Sequence, residues 1–198
     1  MLTVDIKSLL LHLNTFCTNT LQAAAGLCVS RTHYEVTVEH FLVKLLDEPQ
    51  SDWPLILRQF DMESGRAKKA LEETLEEFKT GNAAKPVFSP LLLELVQEAW
   101  MIASIDLGEK SIRSGAILLA FLAKPTFFAS GRYVDLLKSI GREALLAQFW
   151  NITKHSMEET GSSESSAEGA GKEERAPAGD GTALSRVCQD FTQRARDG

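Results

Sequence analysis

Residues 36–49 read Val-Thr-Val-Glu-His-Phe-Leu-Val-Lys-Leu-Leu-Asp-Glu-Pro, and residues 112–125, 76 positions later, read Ile-Arg-Ser-Gly-Ala-Ile-Leu-Leu-Ala-Phe-Leu-Ala-Lys-Pro. Each stretch opens on a β-branched apolar residue, carries four apolar core positions and closes on a proline. Those positions are Phe41, Leu42, Leu45 and Leu46 in the first stretch, and Ile117, Leu118, Phe121 and Leu122 in the second. The spacing i, i+1, i+4, i+5 forms one wide stripe on a 3.6-residue helix and breaks the alternation of a strand. The two stretches are therefore expected to be equivalent buried helices.

The match extends outward. At the same offset Ala23 meets Ala99, Leu27 meets Ala103 and Val29 meets Ile105, so a small-residue helix is expected ahead of each stripe. After four residues of slippage, 56–60 (Ile-Leu-Arg-Gln-Phe) meets 136–140 (Leu-Leu-Lys-Ser-Ile). The expected fold is all-α: a duplicated four-helix repeat with pseudo-twofold symmetry, repeat one about 15–79 and repeat two about 89–152. Each half alone would expose its stripe helix, and two halves face to face bury both.

Ahead of the repeats, Asp5 can cap a short helix whose stripe is Ile6, Leu9, Leu10 and Leu13, spaced i, i+3, i+4, i+7. This leader has no counterpart in the second half. Asn14 caps the next helix, which runs to about Arg31. Residues 31–35 read as a polar link, and Thr37 as a cap with Glu39 in the first turn, where negative charge suits the helix dipole. Ser51-Asp52-Trp53-Pro54 opens a third helix. Residues 61–79 make a fourth, with Ala67, Leu71, Leu75 and Phe78 inward and Glu72, Glu73, Glu76 and Glu77 on a solvated face. The stretch 80–86 reads as a hinge. Ser89-Pro90 supplies cap and first turn for a helix with stripe Leu92, Leu95, Val96 and Ala99. After the second stripe helix, two short helices end the body near Trp150.

Residues 155–183 change character: 15 of the 29 are Gly, Ser or Ala, the net charge is -5 and no aromatic residue occurs. Such a stretch cannot bury enough apolar surface to offset its ordering entropy, and reads as a flexible acidic tether. Residues 184–198 regain helical period through Leu184, Val187, Cys188, Phe191 and Ala195. The expected organisation is a body over 1–154, a linker over 155–183, and the beginning of a further module from 184.

Charge and cysteine usage narrow the function classes. Residues 1–154 hold 16 basic and 18 acidic side chains and residues 155–198 hold 5 and 9. No face gathers the Lys/Arg cluster of a nucleic-acid footprint. No apolar run approaches the roughly 20 residues that cross a bilayer, so no membrane partner is expected. Cys17, Cys28 and Cys188 are odd in number and show no paired spacing, which reads as a reducing, cytoplasmic compartment. His12, His33, His40 and His155 lack metal-ligand spacing. Glu39-His40 sits in the first turn of a core helix opposite Gly115-Ala116 of the other repeat, a structural position. Gly169-Ala170-Gly171-Lys172 lacks the earlier glycine, the following Ser/Thr and the preceding strand of a phosphate-binding loop. Asn151-Ile152-Thr153 is a glycosylation sequon only in a secreted chain. No catalytic set emerges.

The duplicated unit with its proline-closed stripe resembles the N-terminal domain of the Clp ATPases over about 15–150. Within that family three features resemble the ClpV (TssH) type VI secretion ATPases. They are Asn14 behind an added helix; Ala23-Ala24-Ala25-Gly26-Leu27-Cys28 running on to Ser30-Arg31-Thr32-His33-Tyr34-Glu35-Val36 and Val38-Glu39-His40; and Thr80-Gly81-Asn82 ahead of Ser89-Pro90. Leu184-Ser185-Arg186, Phe191-Thr192 and Arg194-Ala195 are similar to the lead-in to the first ATPase ring. The resemblance implies a bacterial hexameric AAA+ unfoldase that uses ATP and Mg and disassembles contracted sheaths, with this domain gripping an N-terminal helix of the large sheath subunit. Both ATP modules would lie outside this chain, so no cofactor, metal or catalytic residue is expected within it. Two other readings stay open: a substrate or adaptor docking domain of a ClpA, ClpB or ClpC type chaperone, and a stand-alone helical peptide-binding scaffold.

An amphipathic peptide helix needs an apolar groove between two helices. The expected walls are Leu9, Leu10, Leu13 and Phe16 on one side and Phe88, Leu92 and Leu95 on the other. The competing account is that the same residues complete the core, as apolar stripes usually do.

Overall fold

The computed structural model describes residues 6–158. The Asp5 cap, most of the tether and the 184–198 segment fall outside the described residues. The elements in chain order are α1 (Ile6–Leu11), α2 (Thr15–Ser30), β1 (Glu35–Val36), α3 (Val38–Leu45), α4 (Asp52–Gln59), α5 (Ser64–Glu76), β2 (Val87–Phe88), α6 (Pro90–Met101), α7 (Ser114–Ala123), α8 (Pro125–Phe128), α9 (Arg132–Leu137) and α10 (Arg142–Thr153). A π-helical turn, Ile102–Asp106, continues α6. Repeat one is α2 to α5. Repeat two is α6, α7, α9 and α10, and α1 stands outside both.

Helix α6 opens at Pro90 where α2 opens at Thr15, an offset of 75, whereas α7 opens at Ser114 where α3 opens at Val38, an offset of 76. The buried faces obey the first offset: Cys17, Thr20, Leu21, Ala24 and Cys28 answer to Leu92, Leu95, Val96, Ala99 and Ala103. Pairing Ala23 with Ala99 was therefore one residue out, and Ala23 is exposed. The extra residue enters at the π turn, where Leu107 N–H donates to Ile102 O at 3.0 Å across five residues. A π turn absorbs a one-residue insertion without unwinding the helix. The later slippage of four has an equally local cause. Pro125 does not merely close α7; it starts α8, a four-residue helix with no counterpart in repeat one.

The halves are joined by an exchange. Leu13, ahead of the first helix of repeat one, bridges to Ile112, ahead of the second helix of repeat two. Conversely β2, ahead of the first helix of repeat two, pairs in parallel with β1, ahead of the second helix of repeat one, matching Glu35 to Val87 and Val36 to Phe88. The predicted polar link and hinge are thus paired backbone. Residues 80–86 are also pinned: Asn82 N–H donates to Thr32 O at 2.9 Å, Asn82 Nδ2 to His33 O at 3.1 Å, and Gly81 N–H to Thr32 Oγ1 at 3.0 Å. Gly81 adopts φ 102°, a conformation open to glycine and strained for other residues.

The same exchange recurs in the two largest fully buried side chains, Trp53 and Tyr133, at equivalent positions of α4 and α9. Trp53 Nε1 donates to Ser114 O at the start of α7 (2.7 Å), and Tyr133 O–H donates to Glu39 Oε1 at the start of α3 (2.8 Å). Each repeat thus sends an aromatic hydrogen-bond donor to the stripe helix of the other. Glu39 is a buried acceptor for Tyr133, in keeping with the structural role expected of it.

One polar cluster lies inside this apolar assembly. Glu158, past α10, is buried against the amino ends of three helices. It accepts from Asn14 Nδ2 at 2.8 Å, Asp52 N–H at 3.0 Å and Ser114 N–H at 2.7 Å, and also from Ser114 Oγ. These donors belong to the α2 cap and the first residues of α4 and α7, where backbone N–H groups lack intrahelical partners and the dipole favours an anion. Beside it Arg113 grips Asp52 through two bonds of 2.7 and 2.8 Å, and Gly115 N–H donates to the same carboxylate at 3.1 Å. Burial, then the charge of Asp52, pushes the Glu158 carboxyl above the usual range, while the hydrogen bonds from Ser114 and the two backbones pull it back. The described body therefore runs through Glu158, past the linker start expected at His155. Met157 N–H reaches Gln50 O at 3.0 Å, and Ser156 and Glu158 are buried.

A Cβ on Gly115 would lie 2.6 Å from Phe149 Cε2 and 2.8 Å from Asp52 Oδ2. Gly115→Ala should therefore lower stability by about 1–3 kcal/mol through overpacking. Arg113→Ala, which leaves Asp52 buried without its partner, should cost about 3–5 kcal/mol. Urea unfolding of the two variants ranks them, and an Arg113→Ala chain no less stable than Gly115→Ala would contradict the assignment of this pair.

Candidate peptide-binding site

Helix α1 forms as expected and packs on α6. Its exit is pinned: Ile112 N–H donates to His12 O at 2.6 Å, Asn14 N–H donates to Ile112 O at 2.9 Å, and the Asn14 side chain caps α2 by accepting from Cys17 N–H at 2.7 Å. The His12 ring stacks on Trp100 near the end of α6, with centroids 3.9 Å apart and planes 13° from parallel. A six-residue helix is far too short to persist alone, so packing of its stripe decides its position.

The seven residues expected to wall a groove do converge on this seam, but most are inside it. Leu9, Leu10, Leu13, Phe88, Leu92 and Leu95 are buried, and Phe16 is half-buried against the core. Most of the two expected walls is closed inside the core, because an amphipathic leader beside an apolar helix face buries its own stripe there. Some apolar residues of the same elements remain outward. Leu11 is 81% exposed on α1, Val87 is 41% exposed on β2 and Leu91 is 38% exposed at the start of α6, with Leu93 and Trp100 half-buried nearby in sequence. Leu91, Leu92 and Leu93 form a run too wide for one buried helix face, which signals in the sequence that part of α6 stays wet.

The strand carrying Val87 rests on β1, and β1 rests on a histidine pair. His33 Nδ1 and His40 Nε2 are 2.8 Å apart, both rings are buried, and Phe78 packs against both. Thr37 N–H donates to His40 Nδ1 at 3.1 Å, so that nitrogen is unprotonated and Nε2–H donates to His33. Both imidazoles are neutral. Burial, then the neighbouring His33 and Arg31, lowers the His40 pKa to about 4, and burial followed by Arg31 lowers that of His33. An unfolded imidazole titrates near 6.5. Between that value and about 4 the unfolded chain therefore binds the extra proton, and folding stability falls as pH is lowered. Thermal melts should show stability complete above about pH 7 and reduced by about 3 kcal/mol near pH 4 from His40 alone, at 1.36 kcal/mol per unit. A His40→Gln chain with an equally steep slope in that window would contradict the assignment.

A model of the Clp repeat (R) N-terminal domain family matches residues 13–132. The AAA+ ATPase ClpV1 of Pseudomonas aeruginosa is 28% identical over 195 residues, which cover 94% of this chain and 22% of that protein. The chain thus spans about a fifth of the length of this curated relative. Among solved structures, the N-domain of ClpV from Vibrio cholerae superposes with a TM-score of 0.75 at 39% identity, covering 80% of this chain and 95% of that one. A complex of a ClpV N-domain with a VipB peptide gives 0.73 at 37% identity, covering 80% and 97%.

Proposed function

The chain belongs to the Clp repeat (R) N-terminal domain family and within it to the ClpV type, and from that premise we propose that its α1–β2–α6 surface takes up a short amphipathic helix of the large type VI sheath subunit. The observation that carries this reading is the leader helix. It has no counterpart in repeat two, it lies on α6, and each of these elements keeps an apolar residue outward: Leu11 on α1, Val87 on β2 and Leu91 on α6. A peptide helix with apolar residues at i, i+3, i+4 and i+7 is the complement of such a surface. The VipB peptide held by a similar ClpV N-domain supports the choice of a sheath peptide.

In this reading the domain's contribution is recognition. The buried seam of Leu9, Leu10, Leu13, Leu92 and Leu95, with Phe16 and Phe88 at its edge, holds α1 in place, and the outward residues make the contact. The whole protein would be a cytoplasmic hexameric AAA+ unfoldase that pulls contracted sheaths apart, with ATP and Mg2+ held by modules beyond this chain. The acidic tether would join the two parts, so that captured subunits are delivered to the ring.

Outward and seam residues respond differently to substitution. Val87→Glu and Leu91→Glu should each weaken a labelled sheath-subunit peptide about tenfold or more in fluorescence anisotropy, since an apolar anchor contributes about 1.5–3 kcal/mol when buried. Their melting temperatures should not change. Leu13→Arg should instead lower the melting temperature sharply, because it buries an unpaired cation. Unchanged peptide affinity in both outward-residue variants would sink the proposal. Equal capture of an unfolded model substrate and of the sheath peptide would favour a general chaperone docking domain.

A further inference from the structure

We propose that a second surface, the cleft between α5 and α9, binds a short acidic peptide segment of a partner protein. The cleft has a volume of about 230 Å³ and is lined by Arg66, Lys69, Ala70, Glu73, Arg132 and Leu136. It shares no element with the α1–β2–α6 surface.

Three observations point to an anionic, partly aliphatic ligand. The first is that the side chains of Arg66, Lys69 and Arg132 make no ion pair or hydrogen bond among the described residues. Lys44, Lys68, Arg113, Lys124, Lys138 and Arg142, by contrast, each reach a carboxylate. Three unpaired cations on one concave surface raise the local potential in a chain whose net charge is -6.

The second is that the pseudo-twofold does not repeat them. Buried Ala67, Leu71 and Leu75 of α5 answer to Leu145, Phe149 and Thr153 of α10, an offset of 78. In that register Arg66 and Lys69 answer to Ala144 and Ala147. Arg132, the first residue of α9, answers to Asp52, the first residue of α4. The fold is therefore built in the other half without a cation at any of these positions, and packing does not require them.

The third is the surroundings. Glu72 and Glu76 lie on α5 with Arg66 and Lys69, and Asp135 lies on α9 with Arg132. With Glu73 itself in the lining and further carboxylates on the same elements, a long polyanion such as a nucleic-acid backbone is disfavoured relative to a short acidic segment. Ala70 is buried and Leu136 half-buried, so the floor suits an aliphatic side chain, and the Glu73 carboxylate on the wall can accept from a peptide N–H. A peptide with two or three carboxylates flanking a leucine or alanine combines these features, whereas free phosphate would leave the apolar floor uncovered.

The test is an amide chemical-shift titration of the 198-residue chain with the synthetic peptide acetyl-Gly-Glu-Leu-Glu-Glu-Gly-amide at low salt. Saturable shifts are expected at Arg66, Lys69, Arg132 and Leu136. They should weaken as ionic strength passes the range where the Debye length falls below about 10 Å. The triple variant R66A/K69A/R132A should lose affinity about tenfold or more at unchanged melting temperature, since all three side chains are exposed. The proposal is overturned if no saturable shift appears at these four residues. It is equally overturned if the Gln-for-Glu peptide binds as well, or if inorganic phosphate alone gives the same shifts at the same concentration.

Discussion

Everything in this fold depends on the exchange of short backbone pairings between its halves. The segment that enters each repeat hydrogen-bonds to the segment at the middle of the other, Leu13 with Ile112 and Val87–Phe88 with Glu35–Val36. A pair of two-residue strands has almost no stability of its own, so the contribution is positional. It places the two stripe helices, α3 and α7, inside a core to which both repeats contribute, and it brings α4 against α7 and α10 while α9 lies on α5. Neither half can then bury its stripe alone, which makes the duplicated unit one cooperative body.

Polar groups in the middle of that body follow from the same geometry. Packing two repeats across a pseudo-twofold brings the amino ends of α2, α4 and α7 together, and their N–H groups need acceptors that water cannot reach. Asp52 and Glu158 supply them, and Arg113 balances Asp52. An apolar replacement of the whole cluster would leave the helix termini unsatisfied, so the charges are held by backbone demand as well as by each other. Glu158 also holds the residues after α10 inward, with Ser156 buried beside it in sequence and Met157 N–H bonded to Gln50 O.

Functional asymmetry is laid over a symmetric frame. Among the described residues the leader helix, the π turn and α8 each occur once, and the first two bear on the same helix, α6. The candidate peptide surface therefore lies where repeat two departs from repeat one. The cationic cleft lies where repeat one departs from repeat two, at α5 and at the α9 that packs on it. In both places the shared core is left alone and the variation is on outward positions, as expected when a rigid frame carries binding surfaces.

The sequence by itself determined the helices, the duplication, the leader and the family. Those properties live in periodic spacing and cap chemistry over a few turns: the stripes of Phe41 and Ile117, the Asn14 and Ser89 caps, the leader's i, i+3, i+4, i+7 pattern. It also identified Leu9, Leu10, Leu13, Phe88, Leu92 and Leu95 as apolar residues of one seam, but a stripe reads the same whether it faces a partner or its own neighbour. Only the tertiary structure decided that this seam closes on itself and that Leu11, Val87 and Leu91 stay out. It alone showed that residues 31–36 and 80–88 pair, that one π turn shifts the register from 75 to 76, and that Glu158 belongs to the core. The reason is sequence separation. Glu158 meets Asn14 across 144 residues and Asp52 across 106, and no local pattern encodes a contact whose two sides are brought together only when the whole chain has folded.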